Sequence, residues 1–380
     1  MSENSGVPYV YVDNAAAMGK LVRAMGCARR AAFDTEGDSL YHYFEKVCLM
    51  QLSIGGASYI VDPLAGLDMS DLLEALAGMP LVVHGGDYDL RMMRASFGFE
   101  PKEEVFDTML AAQLLGYEKM GLVALTDRFF DAGLSKKGQK SDWSQRPLPE
   151  KMLAYASKDV HYLEALADRL AEELARAGRL EWHRESCRYM VKSTESRNYV
   201  EPDKAWRIKG ISTLGRRQLA FVRELWYWRE DEARGCDLPP FRILGNQAIV
   251  TIAKWAAHPK GSSGCPKLPR HFTGRRLESF KDALKRGRAL GKEEWPEPPA
   301  RGVRRVMEPG QREVVERLRR EVGKLAKSLE LDAAVLAPKA AIKSIAHQKP
   351  GSVEEIMACG MLTRWQAELL FPIVKEASGR

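Results

Sequence analysis

No apolar run in this chain approaches the ~18 residues that a membrane-spanning helix needs, so no membrane partner is expected. The opening Met1-Ser2-Glu3-Asn4-Ser5-Gly6 has neither the basic start nor the apolar centre of a secretory leader, and a cytoplasmic protein is expected. Cysteine is scarce: six in 380 residues, at positions 27, 48, 187, 236, 265 and 359, with no Cys-x-x-Cys pair. That spacing suits reduced thiols and argues against both a disulfide framework and a zinc site. The seven histidines are dispersed, and neither a Ser/His/Asp triad nor a phosphate-cradling glycine loop emerges.

Charge is plentiful and unevenly spread. Residues 1–200 hold 23 Lys and Arg against 29 Asp and Glu, whereas residues 201–380 hold 35 against 22. An acidic front joined to a basic rear suggests carboxylate chemistry in the first half and polyanion capture in the second, although basic helical surfaces also occur without a nucleic-acid partner. The length exceeds one ordinary core, so two or three domains are expected.

Short apolar runs at Tyr9–Val12, Ala31–Thr35, Val47–Ile54, Ala57–Asp62 and Pro80–His84 read as strands, with Gly55-Gly56 as a tight hairpin. Helical patterns lie between them, which predicts an α/β layer fold with helices covering a mixed sheet. The stretch Phe33-Asp34-Thr35-Glu36-Gly37-Asp38-Ser39-Leu40 closes a buried strand with two carboxylates two residues apart, hence on one side. Such a pair resists burial unless a cation compensates it, and hard Mg²⁺ fits carboxylate oxygens; a solvated strand end is the plainer reading. Asp87 and Asp89 open a helix after Gly85-Gly86, where either serves as a cap or first-turn acid. Asp89 also stands at the carboxyl end of a central strand, the edge where open α/β sheets place ligands. Asp107 reads as a cap. Gly133 to Ser144 reads as a mobile loop whose lysines can touch phosphates. Pro149 starts one long helix through about Ala177, carrying Tyr155 and Asp159 four apart on one face. A tyrosine beside an apolar stripe is more often core than catalytic. Taken together, the set offers the about four carboxylates that two neighbouring divalent ions require, with a phenol to orient a water.

In the basic half, Ser193–Lys204 and Gly291–Gly302 read as linkers. Helices are expected over Ser212–Arg234, from Asn246 as cap to Ala257, over Arg275–Arg286, over Gln311–Leu329, and onward to a last helix capped by Thr363. Ser352-x-x-Glu355 reads as a capping box. Trp226, Trp228, Trp255 and Trp365 have faces that stack on bases, but helical tryptophans are more often core.

Three motifs in order, FDTEGDSL, VVHGGDYDL and YASKDV, resemble those of the ribonuclease D family, in the tyrosine-bearing subclass of the DEDD superfamily of 3′–5′ exonucleases. KVCLMQLS, IVDPL, FDTMLAA and SDWSQRPL add to the likeness, and the helical rear resembles two HRDC modules. The resemblance implies a ribonuclease H-like α/β exonuclease domain over residues 1–200, with helices on both faces of a mixed sheet. Two all-α HRDC-type domains follow, over 205–292 and a diverged one over 305–380. It implies two Mg²⁺ or Mn²⁺ ions held by Asp34, Glu36, Asp89 and Asp159, with Tyr155 orienting the attacking water and Leu40 as a wedge against the terminal base. It implies a 3′–5′ exoribonuclease that releases nucleoside 5′-monophosphates, with precursors of tRNA carrying 3′ extensions among its RNA partners and no obligate protein partner. The alternatives are a DNA exonuclease of the same mechanism and a catalytically weak nucleic-acid-binding protein. Two positions depart from the family pattern. Gly85 stands where many members carry Asn, and acidic Asp38 follows the first motif.

Overall fold

Alternation of apolar residues with turn-forming ones sets the strands of the first half, and the computed structural model joins them into one six-stranded sheet. It describes residues 7–134, 138–196, 204–258, 266–298 and 309–377. Strand β1 (Tyr9–Val12) leads into helix α1 (Ala15–Met25), capped by the Asn14 side chain, which accepts the Ala17 N–H at 3.0 Å. Strands β2 (Ala31–Gly37), β3 (Val47–Ile54) and β4 (Ala57–Val61) form an antiparallel meander. Then come α2 (Ser70–Ala77), β5 (Leu81–Val83), α3 (Asp87–Phe97), β6 (Val105–Asp107), α4 (Thr108–Leu114) and α5 (Leu122–Phe130). The sheet order is β1-β4-β3-β2-β5-β6, with β1 parallel to β4 and β5 parallel to both β2 and β6. The expected mixed sheet is therefore present. The three-residue β6 escaped the sequence reading because its last residue doubles as the cap of α4.

The side-chain period of two sorts β2 between two cores. Ala31 and Phe33 join a cluster with Leu21, Leu52, Leu72 and Leu90, whereas Ala32 packs with Val82, Val160, Leu163 and Ala167. The second cluster brings in α6 (Glu150–His161) and α7 (Leu163–Arg176), so helices cover both faces. The single helix expected from Pro149 to Ala177 is thus two. They meet at Tyr162, whose N–H turns to the Val160 carbonyl and whose ring stacks on Phe130 at 5.5 Å. Helix α8 (Leu180–Ser196) continues into the stretch expected as a linker.

The chain divides into two compact units: Met1–Gly37 with Lys46–Arg197 and Met307–Arg380, and Asp38–Glu45 with Asn198–Val306. The second unit holds α9 (Arg216–Gly235), α10 (Pro240–Ile243), α11 (Asn246–Ala256) and α12 (Gly274–Ala289) around Phe221, Leu225, Trp228, Ile249 and Phe280. Asn246 was expected as a cap; Gly245 takes that place instead, and the Asn246 Oδ1 accepts from Arg229 at 2.6 Å. The segment Asp38–Glu45 is tied down within this unit by Asp237. Its carboxylate accepts the Tyr43 N–H at 3.0 Å and the Phe44 N–H at 3.2 Å, and pairs with His42 at 2.7 Å.

In the first unit, α13 (Pro309–Ser328), α14 (Ala333–Leu336), α15 (Lys339–Gln348), α16 (Val353–Ala358) and α17 (Arg364–Ala377) share a core with α4 and α7 through Ala111, Leu166, Leu170, Leu318 and Trp365. Half of the expected capping box forms: Ser352 accepts the Glu355 N–H at 3.1 Å, while Glu355 reaches to the Gly351 N–H at 2.7 Å. At α17 it is Gln366 that accepts the Thr363 N–H, at 2.8 Å. Trp228 and Trp365 are buried core residues, and Trp226 and Trp255 pack against the second unit's core. No helix among the described residues is long and apolar enough to cross a membrane.

Candidate active site

Strand β2 places Asp34 and Glu36 on one face, and α6 brings Asp159 to them; one oxygen from each of the three lies within 4.8 Å of the other two. Helix α6 presents Tyr155 and Asp159 one turn apart, as their spacing predicts. No Lys or Arg pairs with any of these carboxylates among the described residues.

Asp89 reaches the cluster by a different route. The turn before α3 needs Gly85 in the left-handed region, at φ 67°, and Gly86 against Val83. The Asp107 carboxylate accepts the N–H groups of Gly85 and Gly86 at 3.0 Å each, and it also accepts those of Met109 at 2.8 Å and Leu110 at 3.1 Å. One buried acid thus caps α4 and pins the entry to α3. A Cβ on Gly85 would lie 2.8 Å from the Met109 Cε, the mobile end of an exposed side chain, so packing does not require glycine there; its positive φ favours it. Asp89 then accepts from the Thr35 N–H at 3.1 Å and from the Thr35 hydroxyl at 2.5 Å. It stands outside the three-oxygen group but inside its field. Asp87, by contrast, faces Arg91 at 3.2 Å. Thr35 was not singled out in the sequence; its signal is its place between the two acids of Asp-x-Glu, facing the opposite side of the strand.

The electrostatics follow from burial without counter-charge. Burial, then the carboxylates of Asp89, Asp159 and Glu36, hold the Asp34 carboxyl well above the ordinary range. Burial pushes Glu36 up to about 9, with Asp159 and Asp89 adding to it. Burial raises Asp159 to about 7 against a Tyr155 hydrogen bond that lowers it, and raises Asp89 to about 6 against its Thr35 bonds. Burial and the neighbouring carboxylates Asp159 and Glu36 push the Tyr155 phenol above its usual value. That phenol therefore stays protonated and gives its hydrogen bond to Asp159.

Around Tyr155, Trp143 packs at 6.1 Å between ring centres, and Gly138 lies so close that a Cβ would meet the tyrosine ring at 2.8 Å. The loop from Gly138 thus covers the tyrosine, while Lys136 and Lys137 of the lysine-rich stretch lie outside the described residues. Leu40 is 42 % exposed and belongs to the segment Asp38–Glu45 of the second unit, in which Asp38 is buried. His84 is structural, its Nδ1 on the Thr108 hydroxyl at 2.9 Å and its imidazolium disfavoured by burial.

An all-oxygen, anionic donor set is what Mg²⁺ and Mn²⁺ select, and protonation energies raised by mutual repulsion are what a divalent cation relieves. The residues present fit such ions.

Comparison with known proteins agrees with this chemistry. Residues 9–175 match the 3′-5′ exonuclease family and residues 218–256 the HRDC domain. Ribonuclease D of Acidiphilium cryptum is 29% identical over 76% of this chain and 75% of that protein. Ribonuclease D of Cronobacter turicensis is 27% identical over 94% of this chain and 97% of that one. Three others of that name, 32–34% identical, align over 58–62% of their own length. Escherichia coli RNase D has the same fold, with a TM-score of 0.71 at 22% identity over 98% of both chains.

Proposed function

We propose that this chain, which is similar to ribonuclease D proteins over most of its length, is a 3′–5′ exoribonuclease, a hydrolase of phosphodiester bonds, whose two-cation reaction releases nucleoside 5′-monophosphates from the 3′ end of RNA. Asp34, Glu36, Asp89 and Asp159 would hold the two ions, Mg²⁺ or Mn²⁺. When bound, the ions supply charge for the attacking and leaving oxygens. The observation that carries the reading is the gathering of Asp34, Glu36 and Asp159 within 4.8 Å, uncompensated by any described cationic side chain.

The protein's own groups then divide the work. Tyr155, kept protonated, orients the attacking water by hydrogen bonding, giving up its bond to Asp159 to do so. Thr35 keeps the Asp89 carboxylate turned toward β2. Leu40 packs against the terminal base. The basic second half, 35 Lys and Arg against 22 Asp and Glu over residues 201–380, supplies phosphate attraction. The divisions 1–200, 205–292 and 305–380 belong to this reading, as do tRNA precursors with 3′ extensions as substrates, a cytoplasmic setting and the lack of an obligate protein partner.

A time course on 5′-labelled RNA with a short 3′ tail tests the proposal, run with Mg²⁺, with Mn²⁺ and with chelator beside a matched DNA. A ladder that shortens from the 3′ end only with metal, and faster on RNA, is expected. Cleavage in chelator would end the two-cation reading. Faster cleavage of DNA would move the substrate class, and intact binding without cleavage would leave a nucleic-acid-binding protein.

A further inference from the structure

We infer that Gln51 is a positioning residue of this site: its buried amide holds the Asp34 carboxylate, across one water, in the orientation that cation binding uses. The inference rests on the two-cation reading above. Gln51 lies in the middle of β3 with none of its surface exposed. It pairs directly with Asp34 across the antiparallel β2–β3 ladder. Side chains at such a pair leave the sheet on the same face, with Cβ atoms ~4.5–5.5 Å apart. The neighbours of Gln51 on that face, two residues away on either side, are both satisfied. Leu49 packs in the cluster of Ile60, Trp143 and Ala156, and the Ser53 hydroxyl donates to Glu164 at 2.8 Å. Gln51 is different, because neither its Nε2 nor its Oε1 has a partner among the described residues.

An amide with both ends buried and unmet destabilises a strand that leucine or isoleucine would fill without loss. Its use is chemical. Asp34, Glu36 and Asp159 already concentrate negative charge, so a glutamate at 51 would add to the repulsion. A leucine would leave Asp34 with no donor from β3, and only the Thr35 backbone beside it. The amide supplies an N–H for the Asp34 side and an acceptor for the same water, without charge. Neither end of the amide makes a hydrogen bond to the described residues. The link therefore runs through one water, which finds polar partners in both Gln51 and Asp34. A carboxylate held from behind in this way presents a fixed oxygen to a cation, the role that hydrogen-bond partners of metal ligands play in general.

Mn²⁺ titrated by calorimetry into the full-length wild type, Gln51→Leu and Asp34→Asn, with apo melting temperatures alongside, tests the inference. Asp34→Asn is expected to abolish Mn²⁺ binding. Gln51→Leu is expected to raise the Mn²⁺ Kd about 10–100-fold while its apo form melts no lower than wild type. An unchanged Kd in Gln51→Leu beside an Asp34→Asn that no longer binds overturns the inference and leaves the two-cation reading standing. Wild-type Mn²⁺ binding by Asp34→Asn overturns that reading itself. If Gln51→Leu does not fold, Gln51→Met, apolar, unbranched and of similar length, is judged by the same Kd criterion.

Discussion

Two buried charged groups, one in each unit, are handled in opposite ways. In the second, Arg229 is buried at 5 % exposure and fully partnered, bonding the Leu244 carbonyl at 3.2 Å, the Asn246 Oδ1 at 2.6 Å and the Glu230 Oε1 at 2.8 Å. In the first, Glu36 at 9 % exposure lies among other carboxylates with no cationic side chain beside it among the described residues. A buried charge matched by hydrogen bonds fits a helical scaffold, whereas one left unmatched is a cost that only a bound ligand removes. The contrast teaches where function is stored. The first unit keeps an electrostatic debt at the end of β2, and the second keeps none around its buried arginine.

Substitutions can break this comparison. The largest effect is expected from Asp34→Asn: exonuclease activity on RNA falls about 10³-fold or more, while the apo protein melts no lower than wild type, because a repulsive charge has gone. A lower apo melting temperature would show that Asp34 serves stability instead. Arg229→Ala is the converse. It leaves Asn246, Glu230 and the Leu244 carbonyl unpaired, and chemical denaturation is expected to register a loss of about 3–5 kcal/mol, with cleavage chemistry on a short RNA preserved below the melting range. Tyr155→Phe removes the donor alone; kcat is expected to fall about 10²-fold with the Mn²⁺ Kd unchanged.

A further test sharpens the comparison through pH. Asp89, Asp159 and Glu36 are raised in the folded state from 3.8, 3.8 and 4.5 to about 6, 7 and 9. Between about pH 4 and pH 9 the native state therefore holds more protons than the unfolded chain, so stability falls as pH rises through that window. The apo melting temperature should decline across it, and Mg²⁺ or Mn²⁺ should restore it most at the alkaline end. A flat apo profile would mean that the carboxylates are compensated within the protein.

Much of the site was legible because it depends on short-range periodicity. Two acids two apart in a strand share a face, and a tyrosine and an acid four apart on a helix share one, whatever the rest of the chain does. Asp89 was distinguishable from Asp87 by family likeness, but its hold on Thr35 was not, since that contact joins residues 54 apart. Gln51 left a faint signal, as the one long polar side chain in VCLMQLSI. Its meaning depends on the β2–β3 register, which sets it against Asp34. The break at Tyr162 and the shared core of α4, α7 and the C-terminal helices left no local mark, because both are decided by packing partners far away in sequence.

The sequence by itself determined five of the six strands, the carboxylate motifs and the charge asymmetry, since each is written in residue type and spacing. Only the tertiary structure decided that Asp107 would serve two turns at once and that Asp159 would cross over to β2. It also decided that four acids would be buried deeply enough to resist ionisation. Burial and distance, which set the energy of a charge, belong to the assembled fold and to no segment of the chain alone.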